Sequence, residues 1–467
     1  MHMKAGRALL LVALGLLAIG ALRDLARLGD ALPWNQLYDF QDFYCAGEAL
    51  DHGADPYRYE PLHRCEHRIN QTEAYRRDPR RVVPAPLPPY DFPLFMLAAR
   101  LDVPAARAID TFAIVAAIVA SIWGLTLVDI PIDVAALALV LPAGYLLLSA
   151  GQVVPFALTA LVFCGVALAR RRYAAAGILA ALTLIEPHLG LPVCVALLLW
   201  VNQSRLYVIA CGLLLAVVAV LTVGFSGVAE YIGGVLPAQA AAETGYVYQY
   251  SLTYLLHSFG SPAPVALILG ELSYIASLAL GVWLGQRLSA VLGRRELLAY
   301  LPAACSIVGG PYVHMVDLPF AIPAALVLAT HLRGNLKNIA VPSLCLLAVP
   351  WIAVWITKKL FLASLFVVAA LLLRLQADAF VSVGTFASIA AVIYLVELVP
   401  PAGLAARITQ SFSPSDLAEQ AWRAYVARLP RTEFTWFIIK LPTWAALIGI
   451  LAASVGALRG RATRPEP

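Results

Sequence analysis

Apolar runs long enough to cross a bilayer recur along this chain from residue 8 to residue 458, and between them no stretch is large enough for a soluble domain. A hydrocarbon core of about 30 Å takes roughly 20 helical residues to cross. In that medium only helices or closed barrels satisfy their own backbone hydrogen bonds, and runs of this length specify helices. The composition agrees, with 61% hydrophobic and 13% charged residues and a mean hydropathy of +0.80, against roughly 25% charged in a soluble domain. We therefore expect an all-α polytopic membrane protein, one integral membrane domain over residues 1–467, with roughly 12 to 14 spans. A net charge of +5 spread over the whole length does not imply nucleic acid.

The placement of the charges suggests an orientation. Lys4 and Arg7 put the N-terminus inside by the positive-inside rule. The run Leu9 to Leu22 follows them as a signal peptide would, yet no small-x-small cleavage site precedes Arg23-Asp24, so it reads as an uncleaved first span. A polar stretch over residues 23–92 then forms a first outer loop holding about a third of the charged residues. Counting onward, Arg170-Arg171-Arg172, Arg287, Arg294-Arg295, Arg333, Lys337, Arg459 and Arg461 all fall inside, as the rule requires. The run Tyr173 to Trp200 is broken by Glu186-Pro187-His188 and reads as two short helices meeting at the outer face, because Pro187 lacks a donor and Glu186 avoids lipid. Residues 225–262 and 399–433 form a second and a third outer loop. The protein should therefore be a multi-pass protein of the plasma or inner membrane, with these loops in the periplasm or outside the cell.

With that topology Asp39, Asp42, Gln152, Glu186, His188, Glu243, Gln249, His314 and Asp317 converge at or just beneath the outer face. Ionisable groups at membrane depth are expensive and usually mark a site or a pathway. In the first loop, Phe40, Phe43, Tyr44 and Leu50 recur with helical spacing, which suggests an amphipathic helix lying on the bundle. Asp39 and Asp42 share one face of it. Asp39 reads either as a cap, accepting from the amide of residue 41 or 42, or as a general base for an acceptor hydroxyl.

These residues resemble the GT-C superfamily of glycosyltransferases, and within it the polyprenol-phosphate-mannose-dependent α-1,2-mannosyltransferases typified by the mycobacterial phosphatidylinositol mannoside enzyme. The resemblance rests on Asp39-Phe40-x-x-Phe43-Tyr44-x-Ala46-Gly47 with Asp55-Pro56-Tyr57, on Gly151-Gln152, on Ile185-Glu186-Pro187 and on Gln249-Tyr250-Ser251-Leu252, and it covers about the first 330 residues. It implies a GT-C-type bundle and an essential Asp in the first outer loop, which Asp39 matches, with His314 lining the site. Glu186 departs from the family, which often has a basic residue before that proline. The last 130 residues have no counterpart.

The resemblance implies an inverting hexosyl transfer, of mannose in that family, from a polyprenyl-phosphate sugar to a lipid or glycan acceptor, with Asp39 as base. Asp42, Gln152, Glu186, His188, Gln249, His314 and Asp317 would then bind substrate, with no cofactor. Cations should stabilise the departing phosphate. Lys358 and Lys359, outer by parity against the positive-inside trend, read as a phosphate contact or as an interfacial anchor. The run Arg76 to Arg81 reads as a solvated or headgroup-facing stretch or as a second phosphate contact. No tight His/Asp/Glu spacing suggests a metal. A lipid-linked polysaccharide polymerase or ligase would also use an outer-face site, and a secondary transporter would favour midplane charges and internal repeats. Of seven cysteines only Cys45 and Cys65 lie in polar sequence; in an oxidising compartment they would pair, the other reading being two free thiols.

Overall fold

The computed structural model describes residues 2–70, 72–400, 403, 405–429 and 436–462. Among these the regular structure is helical, without strands, and two isolated β-bridges join Arg58 to Leu417 and Gln249 to His314. Among the described residues six helices are long and apolar enough to cross a membrane: Val103–Thr126, Asn202–Glu243, Ala263–Leu292, Gly334–Thr357, Ala379–Leu398 and Ile438–Arg459. A seventh results if Ile132–Val140 and Pro142–Ala150, bent by 44°, form one span. The protein is thus an all-α polytopic membrane protein.

The 12 to 14 spans expected from sequence exceed this number because several apolar runs are broken. Val154–Ala169, Tyr173–Ile185, Pro187–Trp200, Leu297–Ser306, Met315–His331 and Phe361–Leu375 are helices of only 10–17 residues, each short of a perpendicular crossing. The breaks have local causes. Pro142 and Pro187 open new helical segments, since neither can donate to the preceding turn. Gly309-Gly310-Pro311 separates two others, with Gly310 at φ 129.

Side-chain contacts sort the segment ends into two groups. Asp129, Tyr173, Arg294 and Arg295 meet through Arg294 Nη1 to Asp129 Oδ2 (2.8 Å) and Arg295 Nη1 to the Tyr173 hydroxyl (2.6 Å). Asp133 pairs with Arg374, and Asp378 with Asn338, at the same set of chain reversals. The other group joins Asp39 to Gln152, His188 to Asp317, Gln249 to Val313, and Lys359 to the Arg27 carbonyl. The residues singled out for chemistry all belong to the second group.

At that end the first polar stretch folds as helices Tyr38–Asp51, Tyr59–Ile69, Glu73–Arg77 and Phe92–Ala99. The Tyr38–Asp51 helix differs from the amphipathic surface helix expected. Nearly every position from Phe40 to Gly47 is buried, because the Phe92–Ala99 helix packs on it closely enough that Gly47 lies against the Phe95 backbone with no room for a Cβ. The amphipathic role falls to Tyr59–Ile69, whose Leu62 and Cys65 are buried while Arg64 is exposed. Cys45 and Cys65 are joined by a disulfide across these two helices, with Cα atoms 5.5 Å apart.

The second outer loop is shorter than expected. The helix from Arg205 breaks at Gly224 (φ 74, ψ 171), and a second helical stretch resumes at Phe225 and runs through Tyr231–Val235 and Leu236–Glu243, so the loop proper begins at Thr244. The third outer loop lies partly outside the described residues, at positions 401, 402, 404 and 430–433. Its described part packs along the first loop, with Tyr59 N donating to Asp416 O (2.8 Å), Ala418 N to Tyr57 O (3.0 Å) and Ile408 N to Asp78 Oδ2 (3.0 Å).

Candidate active site

Asp39 sits in the first turn of the Tyr38–Asp51 helix. The helix is capped by Leu37 in a left-handed conformation (φ 43) with no side-chain cap, so Asp39 does not serve as the N-cap. Its Oδ2 accepts a hydrogen bond from Gln152 Nε2. Gly151 brings Gln152 there: it ends its helix at φ 69, and a Cβ at this position would stand 2.8 Å from the Phe40 Cβ and 3.1 Å from the Leu37 Cα. Only glycine meets both the left-handed backbone and the close approach. Burial pushes the Asp39 carboxyl up to about 6, the Gln152 hydrogen bond working the other way.

One turn further on, Asp42 is buried, and burial together with Glu66 and Asp39 raises its pKa well above the carboxylate range, Arg81 opposing. Burial also raises Glu66, to about 8, although its Oε2 accepts from the Tyr75 hydroxyl (2.7 Å) and from Val83 N (3.0 Å). The cation facing these carboxyls is Arg81. Its guanidinium carbon lies 4.9 Å from the Tyr75 ring centre and 4.4 Å from that of Tyr425, and its Nη1 donates to the Tyr425 hydroxyl (3.0 Å). Burial opposes the charge, but Tyr75, Tyr425, Tyr246 and Asp42 hold it, and its pKa is raised. Arg81 Nε is buried without a hydrogen-bond partner.

A second strand of contacts runs through the later segments. His188 Nε2 is 3.1 Å from Asp317 Oδ2, and His188 Nδ1 is 3.7 Å from Glu186 Oε2. Asp317 Oδ2 also accepts from His314 N (2.6 Å), fixing the turn that carries His314. Gln249 bridges two segments, donating to Glu243 Oε2 (2.9 Å) and accepting from Val313 N (3.0 Å). Glu243 Oε1 in turn accepts from the Trp422 indole. Behind Gln249, Lys440 is 1% exposed, with Nζ on the Gln249 carbonyl and 3.2 Å from the Tyr254 ring centre.

The two strands meet at Tyr246 and Tyr312. Burial raises both phenols well above their ordinary range; Tyr246 also feels Tyr248, Glu243 and Asp39, and Tyr312 feels Glu243, Asp317, Glu186 and Asp39. Asp39, Gln152, Glu186, His188, Tyr246, Tyr312 and His314 each keep part of their surface open, while Asp42, Glu243, Gln249 and Asp317 beside them are buried. This is the surface expected of a recess with a polar floor. Among the described residues no group of three or more His, Cys, Asp or Glu is arranged to hold a metal ion.

Nine of the residues singled out from sequence thus come together: Asp39, Asp42, Gln152, Glu186, His188, Glu243, Gln249, His314 and Asp317. Lys358 and Lys359 are not joined to them by any described hydrogen bond or ion pair. Lys358 Nζ donates to the carbonyls of Val396 (2.7 Å), Glu397 (3.0 Å) and Val399 (2.7 Å), closing the C-terminus of the Ala379–Leu398 helix. Lys359 Nζ donates to the Arg27 carbonyl (2.7 Å). Arg81 ends the basic run Arg76 to Arg81, for which a phosphate contact is one of the two sequence readings; Tyr246, Tyr312 and Trp422 are not legible as site residues from sequence, and Trp422 lies in the unmatched last part of the chain.

No family model, curated protein or solved structure matches this chain.

Proposed function

We propose that the chain is a membrane glycosyltransferase of GT-C type that moves a hexosyl unit, mannosyl by its resemblance, from a polyprenyl-phosphate sugar to a lipid or glycan acceptor. The observation that carries this reading is the Asp39 carboxyl, raised to about 6 and held by Gln152 among partly open polar side chains. A general base acts best with a pKa near the working pH. In the proposed reaction Asp39 takes the acceptor hydroxyl proton as that oxygen attacks the anomeric carbon. The bond to the lipid phosphate breaks on the opposite face, and the configuration inverts.

The departing phosphate needs a cation. Arg81 is better placed for this than Lys358, whose ammonium group is occupied by three carbonyls. Tyr246, partly open and backed by the buried Trp422 with ring centres 5.2 Å apart, offers an aromatic surface against which a sugar ring can pack. On this reading the Asp39 end faces the periplasm or the cell exterior, and the donor reaches it sideways from the outer leaflet.

The test is a panel of radiolabelled polyprenyl-phosphate hexoses presented to the purified protein in liposomes with a lipid extract as acceptor. Transfer of label from one donor, with inverted anomeric configuration in the product, is the expected result. Retention of configuration, or label appearing only across the bilayer as unmodified donor, would overturn the reading, the latter in favour of a transporter.

A further inference from the structure

The end of the bundle opposite Asp39 carries a built trough of its own. Two adjoining cavities, of about 360 and 520 Å3, share Gly293 and Arg295 in their walls. The first is framed by Asp129, Arg170, Arg171, Arg294, Arg295 and Glu296, and the second by Tyr173, Trp200, Gln203 and Gln286 among others. These residues come from the ends of six helices: Val103–Thr126, Val154–Ala169, Tyr173–Leu182, Pro187–Trp200, Ala263–Leu292 and Leu297–Ser306.

The charges in this trough do not balance. Both carboxylates of the first cavity are taken by one arginine, with Arg294 Nη1 on Asp129 Oδ2 at 2.8 Å and Arg294 Nε on Glu296 Oε1 at 2.6 Å. Arg170, Arg171 and Arg295 therefore have no carboxylate partner among the described residues, and Arg295 is held only by the Tyr173 hydroxyl at 2.6 Å. Three cations around one cavity repel one another, and an anion placed between them relieves that repulsion. Guanidinium groups bind phosphate oxygens in paired, directional hydrogen bonds.

The surroundings indicate which anion. On the helices that line the second cavity, Leu199, Trp200 and Trp283 are exposed, as residues facing acyl chains and the interface are. A headgroup phosphate in the first cavity would have apolar surface beside it for its chains. We infer that this trough binds the phosphate-bearing headgroup of an anionic phospholipid, centred on Arg295, at the face opposite the Asp39 recess. Basic pockets between membrane helices bind such headgroups in this way. A free phosphate has the same charge chemistry but no use for the apolar flank. The inference does not depend on the transferase reading.

Thermal unfolding of the detergent-purified protein tests it, with phosphatidylglycerol, phosphatidylcholine or inorganic phosphate added at equal concentration. Phosphatidylglycerol should raise the unfolding temperature of the wild type and of the control Arg333→Gln/Lys337→Gln, while the other two additions do not. The triple variant Arg170→Gln/Arg171→Gln/Arg295→Gln should lose most of that rise. Should the triple variant not fold, the exposed Arg170→Gln alone should weaken the apparent affinity about fivefold. An equal rise with phosphatidylcholine or inorganic phosphate, or a rise undiminished in the trough variants, would overturn the assignment.

Discussion

At the scale of single residues, Asp39, Lys358 and Arg81 each take their place from a partner distant in sequence. Asp39 stands out in a chain with few charges, and its two readings, cap or base, differ only in where the helix begins. The structure starts the helix at Tyr38 with Leu37 as cap, which leaves the Asp39 carboxyl to Gln152. Lys358 and Arg81 both sit in basic pairs, yet one closes a helix end and the other faces the carboxyls. Nothing local distinguishes them, because the groups that decide between the two roles, the Val396 to Val399 carbonyls for one and the Asp42 carboxyl for the other, lie tens of residues away. Two expectations belong here. Transfer should rise with pH to a plateau, with an apparent pKa of about 6: below it Asp39 is protonated and cannot take a proton, so the rate should fall about tenfold per unit. A pH–rate profile checks this, and a flat profile between pH 4.5 and 7.5 would count against the assignment. Arg81→Gln should lower kcat by about 100-fold with Arg81→Lys recovering part of it, and an unchanged kcat would remove Arg81 from the leaving-group role.

At the scale of elements, polar interruptions in the sequence mark where helices break but not how the loops pack on one another. Glu186-Pro187 and Gly151-Gln152 were readable because proline, glycine and charge act locally on the chain. The docking of residues 405–429 on the first loop was not, because it rests on backbone bonds such as Ala418 N to Tyr57 O and on one indole, Trp422, reaching Glu243. The helix expected to lie on the bundle is buried because a second short helix, Phe92–Ala99, covers it. The Cys45–Cys65 disulfide ties that buried helix to Tyr59–Ile69, and closing a loop with a sequence separation of 20 should stabilise the fold by roughly 3 kcal/mol in the chain-entropy model. Mass spectrometry of non-reduced peptides should find the linked pair, and Cys45→Ser/Cys65→Ser should unfold at lower temperature with reduced transfer. Free alkylation of both thiols in protein purified without reductant would contradict the bridge.

At the scale of the whole molecule, the apolar runs specify a helical membrane protein and the basic residues sort its ends. The number of crossings is harder to read, because a run of 17 apolar residues looks alike whether it spans or stops part-way, and six such runs form helices of 10–17 residues. The sorting of ends is firmer, since contacts group Asp129, Tyr173 and Arg294 apart from Asp39, Gln152 and His314. If the first end is inside, cysteine labelling in intact cells should reach the exposed positions 52, 260 and 420 and fail to reach 171, 295 and 461. A label at 171 from outside would separate the recess from the face on which a polyprenyl-phosphate donor is presented.

The most direct measurement of the central claim is single-turnover transfer by Asp39→Asn in liposomes, beside wild type and Asp42→Asn, with each variant shown to unfold at a comparable temperature. The amide keeps the shape and the Gln152 contact but cannot accept a proton, so Asp39→Asn should lose at least about 100-fold in rate and Asp42→Asn should lose less. Near-wild-type turnover in Asp39→Asn would contradict the account.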